Sequence, residues 1–272
     1  MDQPSERRLN KPSKVSYFPP NNLTTPTMTT PNLKIYPNGP AVARAFADHV
    51  VDKLAEKKEG PLFWALSGGS TPKLLFNLLA EEYRKKIDWS RLHFFWGDER
   101  LVPHDDPESN YGEVKKLLFD KVPVVDSQIY AVQTDLEPEQ AAAAYAETMV
   151  SVLPMNSDGL PILDINMLGM GSDGHTASIF PSNMDELLKN DKICAVATHP
   201  ESGQIRVTMT GPVLNASDEV AFLITGNSKT QRVAQILNEE HGADNFPTAH
   251  IKPTSGKLLW FLDEAAADEV GY

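Results

Sequence analysis

Asp173 and His175 are the residues whose types and spacing most directly suggest chemistry in this chain. They lie in the stretch Leu168-Gly-Met-Gly-Ser-Asp-Gly-His-Thr-Ala-Ser-Ile-Phe-Pro181. A carboxylate and an imidazole two residues apart, in a turn after a buried strand, are what a general base with an orienting acid requires. Gly169, Gly171 and Gly174 let the backbone turn sharply and come close to a ligand. The same glycines match the G-x-G-x-x-G dinucleotide pattern, a weak signal alone. Asp173 would put a negative charge where a pyrophosphate should sit, and Pro181 cuts short the helix that should follow. The N-terminal portion carries no such fingerprint either. Nucleotide binding is therefore set aside.

The second informative stretch is Ser67-Gly-Gly-Ser-Thr-Pro72. Thr71 suits an N-cap and Pro72 a first helical position. The N–H groups of Gly68, Gly69, Ser70 and Thr71 would then form an anion cradle at the positive end of a helix, with phosphate the usual guest. A plain helix cap is the alternative. No Gly-Lys-Ser/Thr follows, so this is not a Walker loop. Ser70 lacks the second glycine of a nucleophile elbow.

Three further charged positions fall beside strands. Asp98, Glu99 and Arg100 follow the apolar run Leu92–Gly97, forming either a solvated loop or an active-site rim. Arg206 lies inside Gln204–Thr210, as an anion ligand or as a surface charge on a half-exposed edge strand. Lys229 precedes a helix, where a cation opposes the macrodipole by a few tenths of a kcal/mol unless an anion binds there. His104-Asp105-Asp106 could suggest a metal, but adjacent loop residues rarely converge on one ion. No metal is expected.

These residues need strands and helices to place them. Apolar runs predict strands at Leu33–Tyr36, Leu62–Leu66, Leu92–Gly97, Ile129–Val132, Ile162–Leu168, Ile193–Ala197, Gln204–Thr210, Val220–Gly226 and Lys257–Leu262. Helical spacing predicts Ala41–Lys58, a helix after Pro72 carrying Leu74, Leu75, Leu78 and Leu79, then Glu113–Phe119, Pro138–Val152 and Thr230–Glu240, with a short acidic helix closing the chain. This alternation implies an α/β fold with a mainly parallel sheet and helices on both faces. The suspected functional residues gather at the C-terminal ends of strands or on neighbouring elements.

Net charge is −12, which disfavours nucleic acid or an anionic membrane as partner. No apolar run approaches a membrane span. Single Cys194 excludes an internal disulfide, lies in an apolar run and fits a reducing, cytoplasmic compartment. Residues 1–31 are rich in Pro, Thr, Ser and Asn and read as a flexible extension before one α/β domain over 32–272, with Met28 a candidate start.

From about Leu33 onward the chain resembles the family of glucosamine-6-phosphate deaminases and 6-phosphogluconolactonases. The resemblance rests on Ser67–Pro72, on Trp96-Gly-Asp-Glu-Arg-Leu-Val-Pro103 with Ser109-Asn110, and on Gly169–Pro181. It implies a Rossmann-like sheet of the deaminase and ribose-5-phosphate isomerase kind, a sugar-phosphate ligand, and no cofactor. It also implies that Arg206 and Lys229 join Gly68–Thr71 on the phosphate. Deaminases of this group carry a glutamate just before the closing proline. Phe180 stands there, which favours lactone hydrolysis over deamination or a non-catalytic sugar-phosphate sensor. On that reading His175, as a neutral imidazole, activates water and Asp173 fixes its tautomer. Arg100 or backbone N–H groups would serve the oxyanion, and Asp98 and Glu99 would bind sugar hydroxyls or order the loop. The expected partner is a small sugar-phosphate lactone, with the protein a monomer or weak homodimer.

Overall fold

The computed structural model describes residues 32–271; the expected N-terminal extension and the candidate start at Met28 lie outside them. The chain runs β1 (Asn32–Tyr36), α1 (Gly39–Glu56), β2 (Leu62–Leu66), α2 (Ser70–Leu78), β3 (Leu92–Trp96), β4 (Asp98–Arg100), α3 (Asn110–Leu117), α4 (Pro138–Val152) and β5 (Ile165–Leu168). It continues through α5 (Met184–Leu187), β6 (Cys194–Thr198), β7 (Ile205–Met209), α6 (Gly211–Asn215), β8 (Glu219–Ile224), α7 (Thr230–Leu237), β9 (Lys257–Asp263) and α8 (Glu264–Ala267).

Six strands form one parallel sheet in the order β1-β9-β8-β5-β2-β3. Interior strands β2, β5 and β8 are buried throughout, and β9 is buried after Lys257, as both-face coverage demands. On one face α1 and α2 press Val42, Phe46, Val50, Leu75 and Phe76 against Trp64, Phe94 and Phe261. On the other, α4, α7 and α8 cover Phe63, Phe95, Phe222 and Trp260. Asn38 caps α1 by accepting from the Ala41 N–H at 3.0 Å, so the helix starts before Pro40 rather than at Ala41.

The second face also carries a separate antiparallel sheet, β4-β7-β6. A short link joins β6 to β7, too short for the crossover that parallel pairing needs. It closes as a hairpin with the His199 N–H donating to the Gln204 carbonyl at 2.9 Å. Central β7 is buried from Arg206 to Met209, not half-exposed as its alternation suggested. Gly97 connects the two sheets: its N–H donates to the Leu66 carbonyl at 3.0 Å and its carbonyl accepts from Met209 at 2.9 Å. Asp98–Arg100 therefore leaves the parallel sheet as a strand of the second one instead of a loop.

Two other expectations change. Ile129–Val132 makes only a single bridge to Phe94, since the chain arrives from a 3₁₀ turn at Asp126–Gln128 and leaves after one rung. Helix α7 stops at Leu237 because Glu239 and then Gly242 adopt positive φ (51° and 84°), which no helix continues.

Candidate active site

Strand β5 ends at Leu168 and delivers a tight turn closed by Gly171 N–H to His175 carbonyl (2.9 Å) and Gly174 N–H to Gly171 carbonyl (3.0 Å). Within it Asp173 Oδ1 meets His175 Nδ1 at 2.6 Å and accepts the His175 backbone N–H at 3.2 Å. One carboxylate thus shapes the turn and orients the ring. With an ionised Asp173, Nδ1 carries the proton and Nε2 is left as the basic nitrogen. Partial burial pushes the Asp173 carboxyl up, but the hydrogen bonds and charge of His175 prevail and hold it at about 2. The imidazole packs on Phe180, ring centroids 4.8 Å apart.

Gly171 is required by contact rather than by its dihedrals. A Cβ there would lie 2.1 Å from His175 Nδ1 and 2.4 Å from Asp173 Oδ1. Two residues beyond His175, Ala177 is held at φ 48°, a left-handed strain of about 1–2 kcal/mol next to the chemistry.

Across the cleft stands the N-terminus of α2. Helix α2 begins at Ser70 with Gly69 as N-cap at φ 117°, so Thr71 is not the cap. Its hydroxyl pairs with that of Thr225 at 2.8 Å instead, tying the loop to the end of β8. No side chain among the described residues caps this end, and the first-turn N–H groups have no intrahelical acceptor. Gly68 is pinned by close approach: a Cβ there would come within 2.1 Å of Asn110 Oδ1.

Three cations line the same cleft: Arg100, Arg206 and Lys229. Arg206, on central β7, is only 8% exposed, which removes the surface-charge reading. Its Nε donates to Gln204 Oε1 at 3.1 Å, its Nη1 lies 3.9 Å from Asp98 Oδ2, and its guanidinium sits 5.7 Å from the Phe180 ring centre. Arg100 gives Nη1 to the Glu108 carbonyl at 2.7 Å and keeps a buried Nε with no partner among the described residues. Lys229 makes no ion pair among the described residues, and burial pulls its ammonium below the usual lysine range against the pull of Asp173. Cations held in partial burial without full pairing are suited to an incoming anion.

Asp98 and Glu99 diverge. Asp98 lines the cleft and accepts from Ser178 Oγ at 2.6 Å. Glu99 points inward, 1% exposed, and accepts from the N–H groups of Arg100, Asn110 and Tyr111 at 2.7–2.8 Å. Burial pushes its carboxyl up, and those three N–H groups oppose the shift. Glu99 orders the start of α3 and does not reach the cleft. His104, considered above as a metal ligand, gives Nε2 to the Val132 carbonyl at 2.9 Å.

Gly68, Gly69, Ser70, Thr71, Asp98, Arg100, His175, Arg206 and Lys229 therefore share one cleft, with Asp173 behind His175. Asn110 and Thr225, neither of them among the site residues expected from the sequence, also line it. The Ser109-Asn110 pair was visible as a motif, and Thr225 follows a buried strand, the position from which ligands are contacted in such sheets.

The model of the family described as glucosamine-6-phosphate isomerases/6-phosphogluconolactonase matches residues 37–260. The chain belongs to this family. A curated Haemophilus influenzae protein named 6-phosphogluconolactonase is 41% identical over 229 residues, covering 81% of this chain and 95% of that protein. The solved 6-phosphogluconolactonase of Trypanosoma brucei superposes with a TM-score of 0.79 at 29% identity, covering 89% of this chain and all of that one (100%). A monomeric glucosamine-6-phosphate deaminase superposes at TM-score 0.71 with 19% identity, covering 88% of this chain and 99% of its own, which shows a shared fold alone. Within the family, the residue just before the closing proline is here Phe180, fully buried against His175, and a phenyl ring cannot move a proton.

Proposed function

We infer that this chain hydrolyses 6-phospho-D-glucono-1,5-lactone to 6-phospho-D-gluconate, the lactonase step of the oxidative pentose phosphate pathway. The observation that carries the reading is the His175–Asp173 pair opposite an uncapped helix N-terminus in one cleft with three cations. Curated relatives named for this activity match over nearly their full length. No helix among the described residues is long and apolar enough to cross a membrane.

The 6-phosphate rests on the N–H groups around Gly68–Thr71, with Lys229 and Arg206 giving charge-assisted contacts. Nε2 of His175 takes a proton from water as the water oxygen bonds to C1. Asp173 keeps the ring in the reactive tautomer and stabilises the imidazolium. The tetrahedral oxyanion is met by Arg100 or by N–H groups of the glycine turn. As C1 parts from the ring oxygen, His175 returns its proton to that oxygen. The product acid then ionises and releases one proton to solvent. A general base of this kind is worth roughly 10²–10⁴ in rate. The lactone is intrinsically reactive, so this and good positioning suffice.

Proton release in weak buffer after mixing with freshly generated 6-phosphogluconolactone tests the assignment. Acceleration of the phosphorylated lactone well above that of unphosphorylated gluconolactone is expected. Equal rates on both lactones would contradict the phosphate cradle, and ammonia release from glucosamine 6-phosphate would contradict the reaction.

A further inference from the structure

The catalytic turn is braced from behind by a segment far away in sequence. The carbonyl of Gly174, the residue between Asp173 and His175, accepts from both the Oγ1 (2.9 Å) and the N–H (3.2 Å) of Thr248. Thr248 is 1% exposed and lies in the 3₁₀ turn Pro247–His250, well outside the cleft. Gly174 has φ 81°, and a Cβ there would fall 2.7–2.8 Å from Phe246 atoms, so Phe246 packs directly on the bare Cα face. Arg232 of α7 stacks its guanidinium 3.8 Å from the Phe246 ring centre and gives Nε to the Ser172 carbonyl at 3.4 Å. The Ser172–Asp173 and Gly174–His175 peptide units are thus held by Arg232 and Thr248 respectively.

We propose that Thr248 is a positioning residue of the lactonase reaction: it fixes the Gly174 peptide and so sets the angle at which Asp173 presents His175 to the cleft. The proposal rests on the reading of His175 as the base. Asp173 and His175 are partly exposed on this turn, so beyond the turn's own bonds the angle they present to the cleft depends on what anchors the peptide between them. A buried hydroxyl and N–H converging on one carbonyl, with an aromatic ring filling the space a side chain would need, is such an anchor. The phosphate cradle is built on α2, with Arg206 on β7 and Lys229 at the N-cap of α7, whereas both donors of Thr248 go to Gly174, which makes the cradle and the Thr248 anchor separable in kinetics.

Thr248→Val keeps shape and N–H but removes the hydroxyl bond; Thr248→Ser keeps the bond and loses a methyl. Both are compared with wild type and with His175→Ala for kcat, KM and the proton resonance of the Asp173–His175 hydrogen bond. Thr248→Val is expected to lower kcat by about tenfold, within the ~10² that small misplacements cost, with KM within about twofold and the resonance broadened or shifted. Thr248→Ser is expected to restore kcat and the resonance. Should the valine variant fail to fold, Arg232→Gln, which releases Ser172 and Phe246 from a half-buried helix position, is expected to lower kcat severalfold with KM unchanged. Wild-type kcat in a folded Thr248→Val, or a parallel loss in the serine variant, overturns the brace. So does an unchanged kcat in Arg232→Gln if that variant stands in. Full activity in His175→Ala would overturn the underlying assignment of the base, an outcome distinct from the others.

Discussion

Arg100 and Arg206 stand directly opposite one another across the β4–β7 ladder, both lining the cleft. Like charges facing across an antiparallel pair destabilise a sheet unless something negative lies between them. Burial pulls Arg206 down, Asp98 pushes it back up, and Arg100 pulls it down again. Asp98, 3.9 Å from Arg206, is a loose counter-charge already bonded to Ser178. On the proposed function, the substrate phosphate would supply the missing negative charge.

Removing Arg206 is therefore expected to weaken binding much more than folding. A charge-assisted hydrogen bond is worth about 1.5–3 kcal/mol, or roughly 10–100-fold in affinity. Arg206→Gln should raise KM by that factor, and thermal-shift titration with inorganic phosphate should show a smaller stabilisation than in wild type. An unchanged KM would separate Arg206 from the ligand.

Gly171→Ala should fold and yet lose most activity. Its new methyl would collide with both His175 Nδ1 and Asp173 Oδ1, so the pair must part. A fall in kcat of about 10²-fold or more is expected, comparable to losing the base, with circular dichroism unaltered. Wild-type kcat would mean the pair can shift without consequence.

For Asp173 the sign of the pH dependence follows from its folded-state value. That value, about 2, lies below the ordinary 3.8, so the folded state binds fewer protons between the two. The carboxylate's contribution to stability is complete above the ordinary value and is lost as pH falls toward the folded one. Side-chain exposure of 46% screens it, so the contribution is small. Urea melts should show the gap between wild type and Asp173→Asn constant above about pH 5 and narrowing below about pH 4. A gap that widens on acidification would contradict the hydrogen-bonded pair.

Glu99 should prove a stability residue without a kinetic role of its own. Glu99→Ala leaves one buried and two part-buried N–H groups and the Ser109 hydroxyl without their acceptor. At about 1–3 kcal/mol for each unsatisfied buried group, partly relieved by water, a loss near 3 kcal/mol or more is expected in denaturant melts. A loss below about 1 kcal/mol would mean the loop reorganises freely.

Cys194 is buried against Met149, and burial pushes its thiol well up, so thiolate is scarce at neutral pH. A thiol-reactive chromophore should label it only after denaturant is added. Prompt labelling of the native protein would show that β6 opens.

Much of this was legible in the sequence because local rules and the fold agreed. Helix α4 spans Pro138–Val152, as its proline start and spacing predicted. Asp173 and His175 are near neighbours in the chain, so their pairing needs only a turn. What the sequence hid depends on distant partners. Asp98–Arg100 reads as a charged loop until β7 supplies its ladder, and Arg206 reads as an edge charge until β4 and β6 cover it. Thr71 suits an N-cap, but Thr225 claims its hydroxyl and Gly69 takes the capping position. Thr248, more than seventy residues after Gly174, carries no local signal of its contact with the Asp173–His175 turn.

On the proposed mechanism His175 activates the attacking water. The most direct test is proton release from freshly generated 6-phosphogluconolactone by wild type and His175→Ala side by side, with substrate binding checked by thermal shift. A loss of roughly 10²–10⁴ in kcat with ligand-induced stabilisation retained is the predicted result. Equal rates in two folded proteins would remove His175 from the chemistry.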